Sequence, residues 1–147
     1  MNRTFACLIF LLLLGSSAHA QCDAKKLSKA CKGNLKPYTY DGYAQADLTF
    51  DKEPHVVKME FTAYAGEQYK LVFCSSGYKD KVKLNIYNAP PKSAKRELVY
   101  DNDRGIDDLY WSFSPKKSGT YYIEIEVPPA ADGVTKKGCI VMLIGFL

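Results

Sequence analysis

From Val57 onward, apolar side chains return at every second position. Val57, Met59 and Phe61 alternate with Lys58, Glu60 and Thr62, and Tyr69, Leu71 and Phe73 repeat the pattern up to Cys74. Val82, Leu84 and Ile86 are separated by Lys83 and Asn85. Leu109, Trp111 and Phe113 form one further face, and Tyr121, Ile123, Ile125 and Val127 another. A period of two is that of a pleated strand with one buried side. A one-residue slip would expose a whole core face, so each register is strongly specified. The pattern is densest over residues 97–127, where three strand candidates are divided by an acidic, Gly-containing turn and a Pro/Lys/Ser/Gly turn. Further breaks fall at Asp51-Lys52-Glu53-Pro54, Ala65-Gly66-Glu67 and Ser75-Ser76-Gly77. The segment 88–95 contains Pro90-Pro91 and cannot lie inside a sheet. Residues 128–138 read as a polar, hairpin-like loop. Residues 139–146 are apolar on both faces, which suits a central or helix-covered strand. Seven or eight strands at this spacing make a mainly β, antiparallel β-sandwich.

The front of the chain follows different rules. Arg3, the apolar run 5–14 and the small-x-small ending Ala18-His19-Ala20 read as a signal peptide cleaved after Ala20, and the run is too short to span a bilayer. A lipid anchor on Cys22 is disfavoured by Gln21 before it. Of 147 residues, removing the first 20 leaves about 127, enough for one domain with a real core. Residues 21–55 read as an N-terminal helix and a Tyr-rich entry segment, and 56–147 as the sandwich. Loss of Arg3 lowers the formal charge from +4 to +3, spread along the chain, which points to neither a nucleic-acid groove nor a polybasic membrane patch.

Four cysteines remain in the mature chain: Cys22, Cys31, Cys74 and Cys139. An even number in an exported chain means two disulfides with three possible connectivities. Zinc is the weaker reading, because paired short spacings are missing and His55 is the single mature histidine. Residues 22–33 have Ala24, Leu27, Ala30 and Cys31 at helical spacing, lysines between them, and Gly33 as a left-handed stop. In such a helix Cys22 and Cys31 stand about 13 Å apart and cannot bond each other. Each would then be pinned to the body, with Cys74 and Cys139 as partners in either order. The alternative is a loop closed by Cys22–Cys31, with Cys74–Cys139 tying two strands. Residues 35–50 carry Tyr38, Tyr40 and Tyr43 around an Asp41-Gly42 turn signal, and enter as an edge strand or wrap over the sandwich.

Four motifs together carry a family resemblance. Ala65-Gly66-Glu67-Gln68-Tyr69-Lys70-Leu71, Val82-Lys83-Leu84-Asn85-Ile86-Tyr87, the acidic loop 101–108 and Ser118-Gly119-Thr120-Tyr121-Tyr122-Ile123 resemble the bacterial pre-peptidase C-terminal domains. The chain is also similar as a whole to secreted proteins of Bacteroidetes-type bacteria. The resemblance implies a jelly-roll-like sandwich, usually non-catalytic, found beside secreted peptidases; some members bind calcium or collagen. This chain departs in having no peptidase domain and in adding a cysteine-bearing helix.

Candidate sites follow from residue chemistry. Asp101, Asp103, Asp107 and Asp108, with Asn102 and Gly105, offer the clustered hard oxygens that calcium prefers. They do not follow the EF-hand order, and the same residue types also cap turns. Tyr38, Tyr40 and Tyr43, with Tyr64, Tyr87, Tyr110 and Tyr122, lie where some rings must face outward and could stack on a glycan or anchor an envelope protein, although tyrosine is also a good strand residue. Trp111, with Leu109 and Phe113 two residues away on either side, reads as core. A hydrolase would need a base, and His55 is isolated from any GxSxG element. The expectation is a non-catalytic secreted or periplasmic module, with a binding or structural role at the bacterial envelope and no resident cofactor unless calcium. A calcium-stabilised or glycan-binding module is the alternative, and a small hydrolase ranks below both.

Overall fold

The computed structural model describes residues 22–76, 82–103 and 110–147. An α-helix, α1 (Ala24–Cys31), runs into a 3-10 helix (Lys32–Leu35). The strands that follow are β1 (Thr39–Phe50), β2 (His55–Ala63), β3 (Tyr69–Ser76), β4 (Lys83–Tyr87), β5 (Leu98–Asp101), β6 (Tyr110–Phe113), β7 (Gly119–Val127) and β8 (Lys136–Phe146). They form two antiparallel sheets, β1-β8-β3-β6 and β2-β7-β4-β5. That order is an eight-stranded jelly roll, in which the chain passes repeatedly from one sheet to the other. Among the described strands, only β4 and β5 are both consecutive and hydrogen-bonded to each other.

Alternation builds the core as expected. Leu48, Phe50, Leu71, Phe73, Ile140 and Met142 of the first sheet meet Met59, Phe61, Leu84, Ile86, Ile123 and Ile125 of the second. Leu84, Ile86, Ile123 and Ile125 are fully buried, each worth about 1.5–3 kcal/mol relative to exposure. At the side where the short edges β5 and β6 face each other, aromatic rings fill the gap. Trp111 stacks on Phe113 at 3.8 Å, with Tyr100 at 6.0 Å and Tyr121 at 5.5 Å from the indole. The sequence placed Trp111 in the core, and its ring is indeed part of this inner cluster. Leu109, its expected neighbour, lies outside the described residues. Burial pushes the Tyr121 hydroxyl up from its ordinary range.

A second, smaller core lies on the outside of the first sheet. Asp23 caps α1 by accepting the Lys26 amide at 2.9 Å. Ala24, Leu27 and Cys31 then pack onto Val72, Cys74, Val141 and Leu143. Disulfides fasten both ends of the helix, Cys22 to Cys139 and Cys31 to Cys74, with Cα separations of 5.7 and 6.6 Å. The helical spacing of the two cysteines thus leads to separate anchors on the neighbouring strands β8 and β3. Residues 139–146, apolar on both faces, are central in their sheet and roofed by the helix.

Four expectations are corrected. Gly33 is not a left-handed stop, since only Gly66 and Gly133 have positive φ among the described residues. The chain tightens instead into the 3-10 turn, which drives Leu35 to 1% exposure beneath the crossing chain. Asp41-Gly42 is not a turn but an irregularity inside β1, where the register against β8 shifts between Tyr40 and Gly42. The sandwich therefore begins at Thr39, ahead of residue 56, because β1 is already one of its strands, the edge strand that one reading of residues 35–50 expected. Residues 128–138 do not close a hairpin. The crossing from β7 in one sheet to β8 in the other takes only residues 128–135, held where the Ala130 amide donates to the Asp51 carbonyl at 2.7 Å and the Thr135 hydroxyl to Asp51 Oδ1 at 3.1 Å.

Candidate binding surface

The outer face of the first sheet is built from side chains that alternate away from the core. Strand pairing places Tyr43, Leu143, Val72 and Tyr110 in one row across β1, β8, β3 and β6. At about 4.8 Å per strand the row is about 14 Å long. Leu143 and Val72 in its middle are covered by the helix, whereas Tyr43 and Tyr110 at its ends are 41% and 42% exposed. The next row carries Tyr40, Gly145, Lys70 and Ser112. Gly145 leaves room for the chain to cross, since a Cβ there would lie 3.0 Å from both Leu35 and Tyr38. The crossing brings Tyr38 beside Lys70.

Lys70 gathers this surface. Its ammonium lies 4.6 Å from the Tyr110 ring centre and 6.0 Å from that of Tyr38, and donates to the Lys36 carbonyl at 3.5 Å. Lys32 sits 4.3 Å from the centre of the Tyr40 ring. Such cation–π contacts hold ring and charge in fixed relation, at about 0.5–1 kcal/mol each when exposed. Lys25, Lys26, Lys29 and Lys36 are exposed on the same segment. Among the described residues, the segment 22–47 together with Lys70 carries six lysines against three carboxylates, Asp23, Asp41 and Asp47. Five of these lysines already cluster in residues 25–36, and folding adds Lys70 from β3 to the group.

The outer face of the second sheet differs. Arg96 reaches from the β4–β5 connection to Glu124, 2.8 Å away, and lies on the Tyr87 ring at 3.3 Å. Mutual hydrogen bonds between Asn88 and Glu97 pin the base of that connection. Asn85 donates to Glu126 at 2.9 Å, and Lys83 pairs with Asp103 at 3.6 Å. Charges of both signs neutralise each other here.

Of the three tyrosines of the entry segment, Tyr38 and Tyr40 are half-buried against lysines and Tyr43 is exposed. Tyr110 joins them from a distant strand. It was among the tyrosines singled out from sequence, and its position just ahead of Trp111 gives it the outward parity of β6.

The acidic group divides. Asp107 and Asp108 lie outside the described residues, as does Gly105. Asp101 Oδ1 accepts the Asp103 amide at 3.1 Å, an Asx turn, and Asp103 takes Lys83 as its partner. The Asn102 side chain accepts from Leu84 of β4 and donates to Val82 just ahead of that strand. No group of three or more His, Cys, Asp or Glu residues suited to a metal is found among the described residues. His55 opens β2 opposite Val127.

No family model matches the chain, and no curated protein matches it. Several solved structures are similar, among them two PliG proteins. One is PliG of Aeromonas hydrophila, titled a periplasmic lysozyme inhibitor of g-type lysozyme, at 19% identity over 72% of this chain and 87% of that one, with a TM-score of 0.47. The other is PliG of Salmonella Typhimurium, with the same description, at 12% identity over 73% and 89%, with a TM-score of 0.41.

Proposed function

We propose that this is an exported, non-catalytic module that binds an acidic protein partner through the lysine- and tyrosine-bearing outer face of its first sheet. The observation that carries the reading is the Lys70 cluster, with Tyr38 and Tyr110 around one ammonium and four exposed lysines beside it. Tyrosine supplies large, stiff contact area and is enriched in binding hot spots. Lysines are poor anchors but effective at steering an oppositely charged partner into contact. Oxidation of all four mature cysteines fits an exported chain and leaves none of them as a thiol nucleophile. The resemblance to pre-peptidase C-terminal domains, which are usually non-catalytic, points the same way.

The test is capture of envelope proteins on the immobilised mature protein, followed by affinity measurement on the captured partner. Tyr43→Ala with Tyr110→Ala, and separately Lys70→Glu, should weaken binding at least about tenfold, as hot-spot truncations do. Lys92→Ala, in the β4–β5 connection of the opposite sheet, should leave it unchanged. Binding that survives the first-sheet variants and fails with changes on the second sheet would refute the assignment of the face. A g-type lysozyme, the target printed for the two similar structures, is one defined bait in this experiment, and nothing in the proposal depends on it.

A further inference from the structure

The four sheet edges are not alike. β5 and β6 are four residues each and offer little to pair with. β1 is 12 residues long, but its register shifts at Asp41, and its charges are the two acids Asp41 and Asp47 with no base to match them. β2 is nine residues long, pairs with β7 without a break, and among the described strands has nothing on its other side. Native sheets usually blunt such an edge by shortening, bulging or charging it. β2 is charged, but with one base and one acid two residues apart on its outward side, Lys58 and Glu60, both exposed.

We infer that two copies of this chain associate by pairing β2 with β2 antiparallel about a two-fold axis at Met59. In that register Lys58 of each copy faces Glu60 of the other, Val56 faces Thr62, and core-facing Val57 faces core-facing Phe61. Opposite charges directly across a strand pair are stabilising, and β-branched pairs suit the same positions. The charged row then runs on within each chain, because Lys58 already lies opposite Glu124 of β7. This is the one register that sets Lys58 opposite Glu60. Moving the axis by one residue puts Lys58 on Lys58 or Glu60 on Glu60. A half step sets outward side chains against inward ones. The interface is isologous, so it closes as a dimer and does not propagate into a fibre. The two four-stranded sheets would join as one sheet of eight.

Sedimentation velocity of the mature protein over a concentration series at low salt tests this. The wild type should show a reversible monomer–dimer equilibrium that weakens as salt rises. Glu60→Lys, which leaves the Lys58–Glu124 row of its own chain intact, should raise the dissociation constant at least about tenfold, since like charges then meet twice across the axis. Lys58→Glu should do the same, and the double exchange K58E/E60K should restore association. A wild type that stays monomeric to its solubility limit overturns the inference. Single variants that dimerise as well as the wild type, or a double exchange that fails to recover, overturn the register.

Discussion

The Asn102 side chain and the Leu84 backbone complete a ladder where β4 and β5 run out. Asn102 Oδ1 accepts the Leu84 amide at 2.7 Å, and the Asn102 amide donates to the Leu84 carbonyl at 3.2 Å. The same side chain donates from Nδ2 to the Val82 carbonyl at 2.9 Å. The residue that looked like a calcium ligand in the acidic loop therefore serves as a strand clasp. Asn102→Ala leaves a buried amide without its partner and should cost about 1–3 kcal/mol, read as a lower urea midpoint with unchanged slope. Asn102→Asp keeps the acceptor for Leu84 but loses the donor to Val82, and should fall between the two.

The two disulfides should differ in weight. Cys22–Cys139 closes a separation of 117 residues and Cys31–Cys74 one of 43. In the chain-entropy model these correspond to about 5 and about 4 kcal/mol, so each is a large part of a domain's usual 5–15 kcal/mol. Replacing both cysteines of a pair with serine should lower stability in that order, measured by denaturant unfolding of the two double variants. Equal losses would show that fastening the helix, shared by both bridges, outweighs restriction of the unfolded chain.

Acid should loosen the crossing between the sheets. The Lys52 amide and then the Thr135 hydroxyl hold Asp51 below its ordinary carboxylate range, against 3.8. The Lys136 ammonium and then the Val134 amide do the same for Asp132. A carboxylate whose folded pKa is depressed stabilises the fold above its unfolded value and loses that contribution as pH falls through the folded one. Stability should therefore drop below about pH 4, and Asp51→Ala with Asp132→Ala should flatten that part of the profile. Both groups are exposed, so the change will be modest and salt-sensitive. Thermal melts across this pH range check it.

Gly138 should tolerate no side chain. A Cβ there would lie 2.5 Å from the Ser76 carbonyl oxygen, in backbone that is held by the adjacent pairing of Ser76 with Cys139. Gly138→Ala should cost about 1–3 kcal/mol, as overpacking does. Gly119→Ala, where a Cβ would meet nothing within 4 Å, is the control. Comparable losses at both glycines would remove the steric account.

Alternation by itself settled which side chains face inward. Leu84, Ile86, Ile123 and Ile125 are buried because period two on a pleated strand leaves no other arrangement with an apolar face covered. The apolar run after Cys139 likewise announced a strand that is central or covered by a helix, whereas the helical spacing of Cys22 and Cys31 pointed to separate anchors but left a Cys22–Cys31 loop open, and the fold decides against that loop. Tertiary structure decided the rest. In a jelly roll neighbours in a sheet are mostly distant in sequence, so strand order, the partners of each cysteine and the shared row of Tyr43 and Tyr110 all depend on how the sheets fold over each other. Periodicity assigns a residue to a face but not to a neighbour, because any strand of matching pattern satisfies the same alternation. The lysine-rich face exists for that reason only after the N-terminal helix has been bolted across β3 and β8.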